Sequence, residues 1–245
     1  MKLDSTGKKI VVFSDVHNEF HKTKKIIEKE NADYNVCLGD WFDSFFYDNT
    51  YNYKQTAEYL VNEFLPKDNN ITLYGNHDLH YLFNNKYTMC SGYEMRKQNA
   101  INEVLESISI KEKFKWYIWI DNFLCTHAGL HKYFIDPDSD IDSFLEKEAK
   151  RADAFLISEK SHWFYGAGRS RGGSFKYGGI VWLDFNDEFE PVEHLNQIVG
   201  HTNQRANGCA WLFADNSDNY CIDCFQNQYL VIEDKALKIK NYIDL

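Results

Sequence analysis

The chain has 245 residues, of which 44% are hydrophobic and 26% charged, with only 3 prolines and 13 glycines. This excludes wholesale disorder, collagen-like repeats and low-complexity linkers, and the length predicts one domain over residues 1–245. The net charge is −10, from 27 Lys+Arg against 37 Asp+Glu; it argues against extended nucleic-acid binding and requires local positive charge to draw any anionic substrate.

Strands and helices alternate in the N-terminal third. Ile10–Phe13 reads as a buried strand, Lys22–Glu30 as a helix and Tyr34–Leu38 as a second strand. Apolar residues at 57, 60, 61, 64 and 65 give Tyr53–Leu65 a helical spacing. Ile71–Tyr74 is a third strand, with helical segments following to about Ser109. This order predicts a parallel sheet buried on both faces. Trp116–Ile120 and Phe123–Thr126 pair as strands across Asp121-Asn122, and Ile141–Ala154 is helical. The Gly-rich, basic stretch Gly166–Gly179 is a loop. Short strands return near Gln197–Val199, Ala210–Phe213, Tyr220–Ile222, Tyr229–Ile232 and Leu237–Ile239.

Of six cysteines, Cys37 and Cys125 sit in apolar runs, as small buried hydrophobes do. The first residues run straight into a strand with no signal-peptide pattern, and no apolar stretch approaches the roughly 20 residues that span a bilayer. A cytoplasmic location without a membrane partner or a disulfide framework is expected.

In open α/β sheets, ligands bind beyond the carboxyl ends of the strands. Five strand ends here each deliver Asp, His or Asn: Asp15 and His17, Asp40 and Asp43, Asn76 to Asp78, His127, and His201. Singly these are weak signals, since a lone Asp-x-His or Gly-Asp is usually a turn; jointly they point to a metal site. Asp15 and His17 can grip one ion, Asp40 can bridge two, and Asn76, His127 and His201 can complete the second. Two divalent cations about 3.5–4 Å apart suit this set. Mixed oxygen and nitrogen ligation favours manganese, with iron or zinc as alternatives, over calcium or magnesium. Two such ions, two carboxylates and a bridging hydroxide sum to a net positive centre that attracts a phosphate dianion. His77 follows the ligand Asn76 and can act as general acid, with Asp43 behind its imidazole.

The motifs DVH (15–17), GDWFD (39–43), GNHD (75–78), THAG (126–129) and GHT (200–202) resemble those of calcineurin-like metallophosphoesterases. CID (221–223) resembles the closing segment of the branch holding phosphoprotein phosphatases and diadenosine tetraphosphate hydrolases. The resemblance implies an α/β fold of two mixed sheets packed as a sandwich and flanked by helices, with a two-metal centre at one edge. It implies the same ligands, Asp15, His17, Asp40, Asn76, His127 and His201, with His77 as acid and Asp43 behind it. Two positions depart from the pattern. Asp43-Ser44-Phe45 replaces the Asp-Arg-Gly of phosphoprotein phosphatases, so a phosphate-binding arginine is missing; Asn203 replaces the last histidine of the nuclease and phosphodiesterase branch.

Arg169 and Arg171 lie in the basic Gly-rich loop and are the candidate phosphate contacts, with nothing to choose between them. Cys221-x-x-Cys224 has no second pair at zinc spacing and is read as structural, on a strand. His131, His162 and His194 fall outside the motifs as surface or supporting residues, whereas His21 and His80 lie near the motif loops. Trp41, Phe42, Phe45, Phe46 and Tyr47 are read as core and rim packing. The chemistry expected is hydrolysis of phosphate monoesters, on a protein, nucleotide or small molecule, by a metal-bridging hydroxide. Phosphodiester or dinucleoside polyphosphate hydrolysis is the alternative, and a non-catalytic binding scaffold a further one.

Overall fold

The computed structural model describes residues 1–44, 49–83, 85–105, 110–136, 139–204 and 207–244. One six-stranded sheet is built on four parallel strands, β2 (Lys9–Phe13), β3 (Tyr34–Cys37), β4 (Asn70–Leu73) and β5 (Phe114–Lys115). Two antiparallel strands, β11 (Gln228–Glu233) and β12 (Ala236–Asn241), extend it beyond β2. The second sheet runs in the order β1 (Lys2–Leu3), β6 (Tyr117–Ile120), β7 (Phe123–Thr126), β8 (Asn196–Val199), β10 (Ser217–Cys221) and β9 (Ala210–Ala214). Its β6–β7 and β9–β10 pairs are antiparallel and the other pairs parallel, so both sheets are mixed. The expected sandwich with flanking helices is the fold observed.

Alternation along β2 shows how one strand feeds two cores. Ile10 and Val12 point into the layer between the sheets, with Val36, Leu38 and Leu73 from one sheet and Ile118, Ile120 and Ile198 from the other. Val11 and Phe13 point the opposite way, toward Ile26 of α1 (Phe20–Glu30), Trp41 and Phe64. Period-2 side-chain direction thus makes a continuous apolar run bury both faces, as parallel strands require. The helices α3 (Asn76–Phe83), α4 (Met95–Leu105) and α5 (Ile141–Ile157) complete the flanks.

The single helix expected over Tyr53–Leu65 is instead α2 (Thr50–Tyr59) followed by a π-helical turn, Leu60–Phe64. Asn49 caps its start by accepting from Asn52 N at 2.9 Å. The inserted residue re-phases the helix so that Leu60, Val61 and Phe64 all reach the core. Helix α1 begins two residues earlier than expected and α5 ends three residues later. Residues 106–109, the end of the helical stretch expected after the third strand, lie outside the described residues, as do Phe45, Phe46 and Tyr47. Trp41 and Phe42 are fully buried core residues.

All six cysteines are free thiols. Only Cys221 of the Cys-x-x-Cys pair lies on a strand; Cys224 is in the turn beyond it and neighbours Cys209, their Sγ atoms 3.9 Å apart. His131 and His162 are buried rather than superficial, each capping a short 3₁₀ turn through Nδ1, with donors Tyr133 N at 2.9 Å and Phe164 N at 3.2 Å. His194 is exposed.

The loops after β3 and β4 touch so closely that a side chain cannot intervene. A Cβ on Gly75 would stand 2.1 Å from Asp40 Oδ1 and 2.3 Å from Asp40 N. We expect Gly75→Ala to destabilise the fold by about 1–3 kcal/mol through overpacking. Urea unfolding measures this; a midpoint equal to that of the parent protein would show that the two loops can separate freely.

Candidate metal centre

Five strand ends meet at one edge of the sandwich, and their loops are tied to each other by backbone groups. Asp15 N donates to Gly39 O (3.1 Å), His17 N to Asp40 O (2.8 Å) and Gly200 N to His127 O (2.6 Å). Asp78, fully buried, accepts from Asp40 N (2.8 Å), Trp41 N (2.7 Å) and Gly75 N (3.0 Å), clamping the loop after β3 to the loop after β4. The backbone turns sharply at the exits. Asp15 (φ 54°), His17 (φ 44°), Asp40 (φ 57°), Asp43 (φ 63°) and His201 (φ 65°) all adopt the left-handed region. Asp and His are among the residue types that tolerate it, at a cost of order 1–3 kcal/mol each.

Asp15, His17, Asp40, Asn76, His127 and His201 are brought together. Their donor atoms form two clusters, Asp15/His17/Asp40 and Asp40/His127/His201, with Asp40 common to both. Backbone carbonyls fix the histidine tautomers. His17 Nδ1–H donates to Phe42 O and His127 Nδ1–H to Leu38 O, both at 2.8 Å, and a carbonyl can only accept. Each ring therefore turns Nε2 inward, where it offers a lone pair whenever the ring is neutral. His17 Nε2 lies 3.8 Å from both Asp15 Oδ1 and Asp40 Oδ2, and His127 Nε2 lies 3.3 Å from Asp40 Oδ2. Asn76 Oδ1 is 3.1 Å from His127 Nε2. His201 Nε2 is buried with no hydrogen-bond partner among the described residues. Acceptors facing acceptors fit divalent cations, one on each side of Asp40, and a backbone-fixed imidazole is the usual arrangement for a metal-ligating histidine.

The electrostatics agree. Burial pushes Asp15 up to about 6, with Asp40 adding to the rise, and pushes Asp223 up to about 7, with Asp15 adding to it. Burial opposes charge on His127, yet the Asp40 carboxylate outweighs it and the ring is pushed up to about 9. Burial holds His201 well below the ordinary range, and His127 and Arg171 reinforce that, so its imidazole is neutral. These groups together attract positive charge.

His77 lines the cleft above the cluster, and its Nδ1 is 2.9 Å from Asp43 Oδ2. Burial opposes charge on the Asp43 carboxyl, but bonds from His77 and Tyr81 and the adjacent His80 ring hold it well below the carboxylate range. The cleft, of roughly 1060 Å³, separates the two candidate arginines. Arg171 lines it near His201, with Nε 2.7 Å from Asp184 Oδ2 and Nη2 donating to Thr202 Oγ1 at 3.4 Å. Arg169 is exposed and is not part of the lining. His21 is exposed, with its ring against Phe20, and His80 is fully buried behind His77. Two residues the sequence reading left without a role belong here. Asp223 follows β10 and lines the cleft, a carboxylate at a sixth strand end; Asp78 is the clamp already described.

The family model for calcineurin-like phosphoesterase matches residues 8–205. Among solved structures the chain is similar to a cold-active protein-tyrosine phosphatase of a psychrophilic Shewanella species. Identity is 18% and the TM-score 0.62, over 99% of this chain and 80% of that one. It is also similar to a protein serine/threonine phosphatase from Saccharomyces cerevisiae, at 18% identity and a TM-score of 0.53, over 98% and 82% of the two chains. At this identity the likeness is one of fold. None of the curated proteins matches.

Asp40→Asn removes the charge shared by both donor clusters while its amide oxygen can still accept from His77 N, as Asp40 Oδ1 does at 2.9 Å. We expect the variant to fold and to lose at least one equivalent of divalent ion. Metal analysis after loading with Mn²⁺ checks this; two full equivalents in the variant would separate Asp40 from metal binding.

Proposed function

We propose a specific activity for this chain, which belongs to the calcineurin-like phosphoesterase family: hydrolysis of phosphate monoesters at a dinuclear centre. Family membership makes it a metal-dependent phosphoesterase. The observation that carries the finer reading is the Asp40 carboxylate, common to both donor clusters, with Nε2 of His17 and His127 turned toward it by the carbonyls of Phe42 and Leu38. In this reading Asp15, His17 and Asp40 hold one ion, and Asp40, Asn76, His127 and His201 hold the other. Manganese suits the mixed oxygen and nitrogen donors. Bound there, two divalent cations supply Lewis acidity toward phosphoryl oxygens and a water acidic enough to be a nucleophile at neutral pH.

The chain's own residues do the rest. Asp43 accepts from His77 Nδ1, which leaves Nε2 as the ring atom that delivers a proton to the leaving oxygen. Burial opposes a charged His77, but Asp40, Cys90 and Asp43 together raise it well above the ordinary range, so the ring holds its proton until the ester oxygen takes it. Arg171, oriented by Asp184 and Thr202, is the arginine placed to meet a phosphoryl oxygen. A phosphate dianion, on a small molecule, nucleotide or protein, is the substrate class that this charge pattern favours.

Turnover of p-nitrophenyl phosphate should exceed that of its bis-ester, depend on added Mn²⁺ and cease with chelator. A faster bis-ester would replace the monoester reading with a diesterase. His77→Asn should keep both metal equivalents and discriminate between leaving groups. Alkyl phosphates, which need the proton, should lose about 10²–10⁴-fold in rate, and p-nitrophenyl phosphate much less. Equal losses on both, or loss of metal, would remove His77 as the acid.

A further inference from the structure

Behind the cleft wall stands a second group of ligand-type side chains that the dinuclear centre does not use. Asp43 Oδ2, His77 Nδ1 and Cys90 Sγ lie within 4.8 Å of one another. His77 Nδ1 is 2.9 Å from Asp43 Oδ2 and 3.4 Å from Cys90 Sγ. His80 closes the cluster: its Nδ1 is 3.3 Å from Cys90 Sγ and its Nε2 is 3.3 Å from Asp43 Oδ2. That Nε2 is fully buried and meets no hydrogen-bond geometry among the described residues. The other Asp43 oxygen is already engaged, accepting from Tyr81 Oη at 2.6 Å and Tyr53 Oη at 3.3 Å. Oδ2 is therefore the oxygen turned to the cluster.

From this geometry we propose that Asp43, His77 and Cys90 form a separate zinc site, backed by His80, at which zinc inhibits the enzyme by capturing the nitrogen of His77 that Asp43 otherwise holds. One thiolate, one imidazole and one carboxylate are three zinc ligands that leave a fourth position for water. Zinc bonds of about 2.0–2.3 Å place tetrahedral ligand atoms roughly 3.3–3.7 Å apart. The 3.4 Å between His77 Nδ1 and Cys90 Sγ already falls in that range, and the 2.9 Å between His77 Nδ1 and Asp43 Oδ2 has to widen by a few tenths of an ångström. Oxygen and nitrogen donors, such as those around Asp40, accept manganese as well as zinc, whereas a thiolate adds a soft-ligand preference for zinc. On binding, the Cys90 thiol and His77 Nδ1 release their protons to solvent, and Nε2 keeps its hydrogen. A zinc-bound neutral imidazole holds that hydrogen far more tightly than an imidazolium and is a poor acid. Cys90 and His77 both line the cleft, so the ion has an entry path.

The inhibition rests on the reading of His77 as general acid, but the site does not, and the test separates the two. Cobalt(II) is the probe, because a thiolate ligand gives it a charge-transfer absorption that oxygen and nitrogen ligands do not. We expect the full chain loaded with cobalt(II) to bind a third equivalent and show that absorption, and Cys90→Ser to stop at two without it. A wild-type chain that stops at two, or an absorption that survives in Cys90→Ser, overturns the site. A measurement needing no variant is alkylation of Cys90 by iodoacetamide, read by peptide mass mapping. With the dinuclear centre already loaded with Mn²⁺, added zinc should slow it, and an unchanged rate overturns the site. Zinc should then depress alkyl phosphate turnover by about 10²-fold or more and aryl phosphate turnover much less. Cobalt absorption without this leaving-group dependence would leave the site standing and overturn the acid role of His77.

Discussion

A carboxylate with no access to water must be neutralised or surrounded by compensating groups, because desolvating a charge costs several kcal/mol. Asp40 is such a group, at 1% exposure, and much of the site is its compensation. One oxygen accepts from His77 N, and the other faces His17 and His127. Its backbone N–H is taken by Asp78, which also holds Trp41 and Gly75. Gly75 has to be glycine because Asp40 occupies the space where a Cβ would go. Remove the need to bury this one carboxylate, and the contact between the loops after β3 and β4 loses its reason.

The left-handed residues carry the same logic into the backbone. Asp15, His17, Asp40, Asp43 and His201 are each held in a conformation that costs free energy, and each carries a chemical group. In a region built for packing alone, such positions would be glycine or asparagine. Here the side chain is needed, so the strain is offset by the loop-to-loop hydrogen bonds and by whatever charge enters among the carboxylates. Ion binding and local stability are thus coupled, since an ion that relieves the repulsion among Asp15, Asp40 and Asp223 also locks the strained loops.

Much of this was legible in the sequence because the parallel strands advertise themselves twice. Ile10–Phe13 is apolar at every position, and four of the five strand ends put glycine within two residues of the polar residue that follows. The rule that a strand's carboxyl end faces the ligand converts that punctuation into a site. Asp223 escapes because no glycine stands beside it at the end of Tyr220–Ile222 to mark the turn. Asp78 escaped for a different reason. Its role is to accept three backbone N–H groups, and nothing in a sequence shows where N–H groups converge. The same holds for His80 and Cys90, which meet Asp43 only through the folding of α3 and the chain beyond it. The short strands β1 and β5 and the π-turn after α2 have no periodicity long enough to read.

The charge of the whole chain bears on what can reach this centre. At −10 the average surface repels anions, and the arginine that lines the cleft is bound to Asp184 at 2.7 Å. That pairing costs Arg171 much of its attraction at a distance, but it fixes the guanidinium plane against Thr202, so the arginine contributes direction more than pull. In the proposed reading attraction would then come from cations bound at the floor of the cleft, and it would be short-ranged because salt screens it beyond about 8 Å at physiological ionic strength. A dianionic terminal phosphate can approach that closely, whereas a phosphodiester brings one negative charge and a second bulky arm. In the proposed reading, the same acidic surface that discourages polyanions would favour compact phosphate monoesters at a centre whose positive charge, once ions bind, is buried.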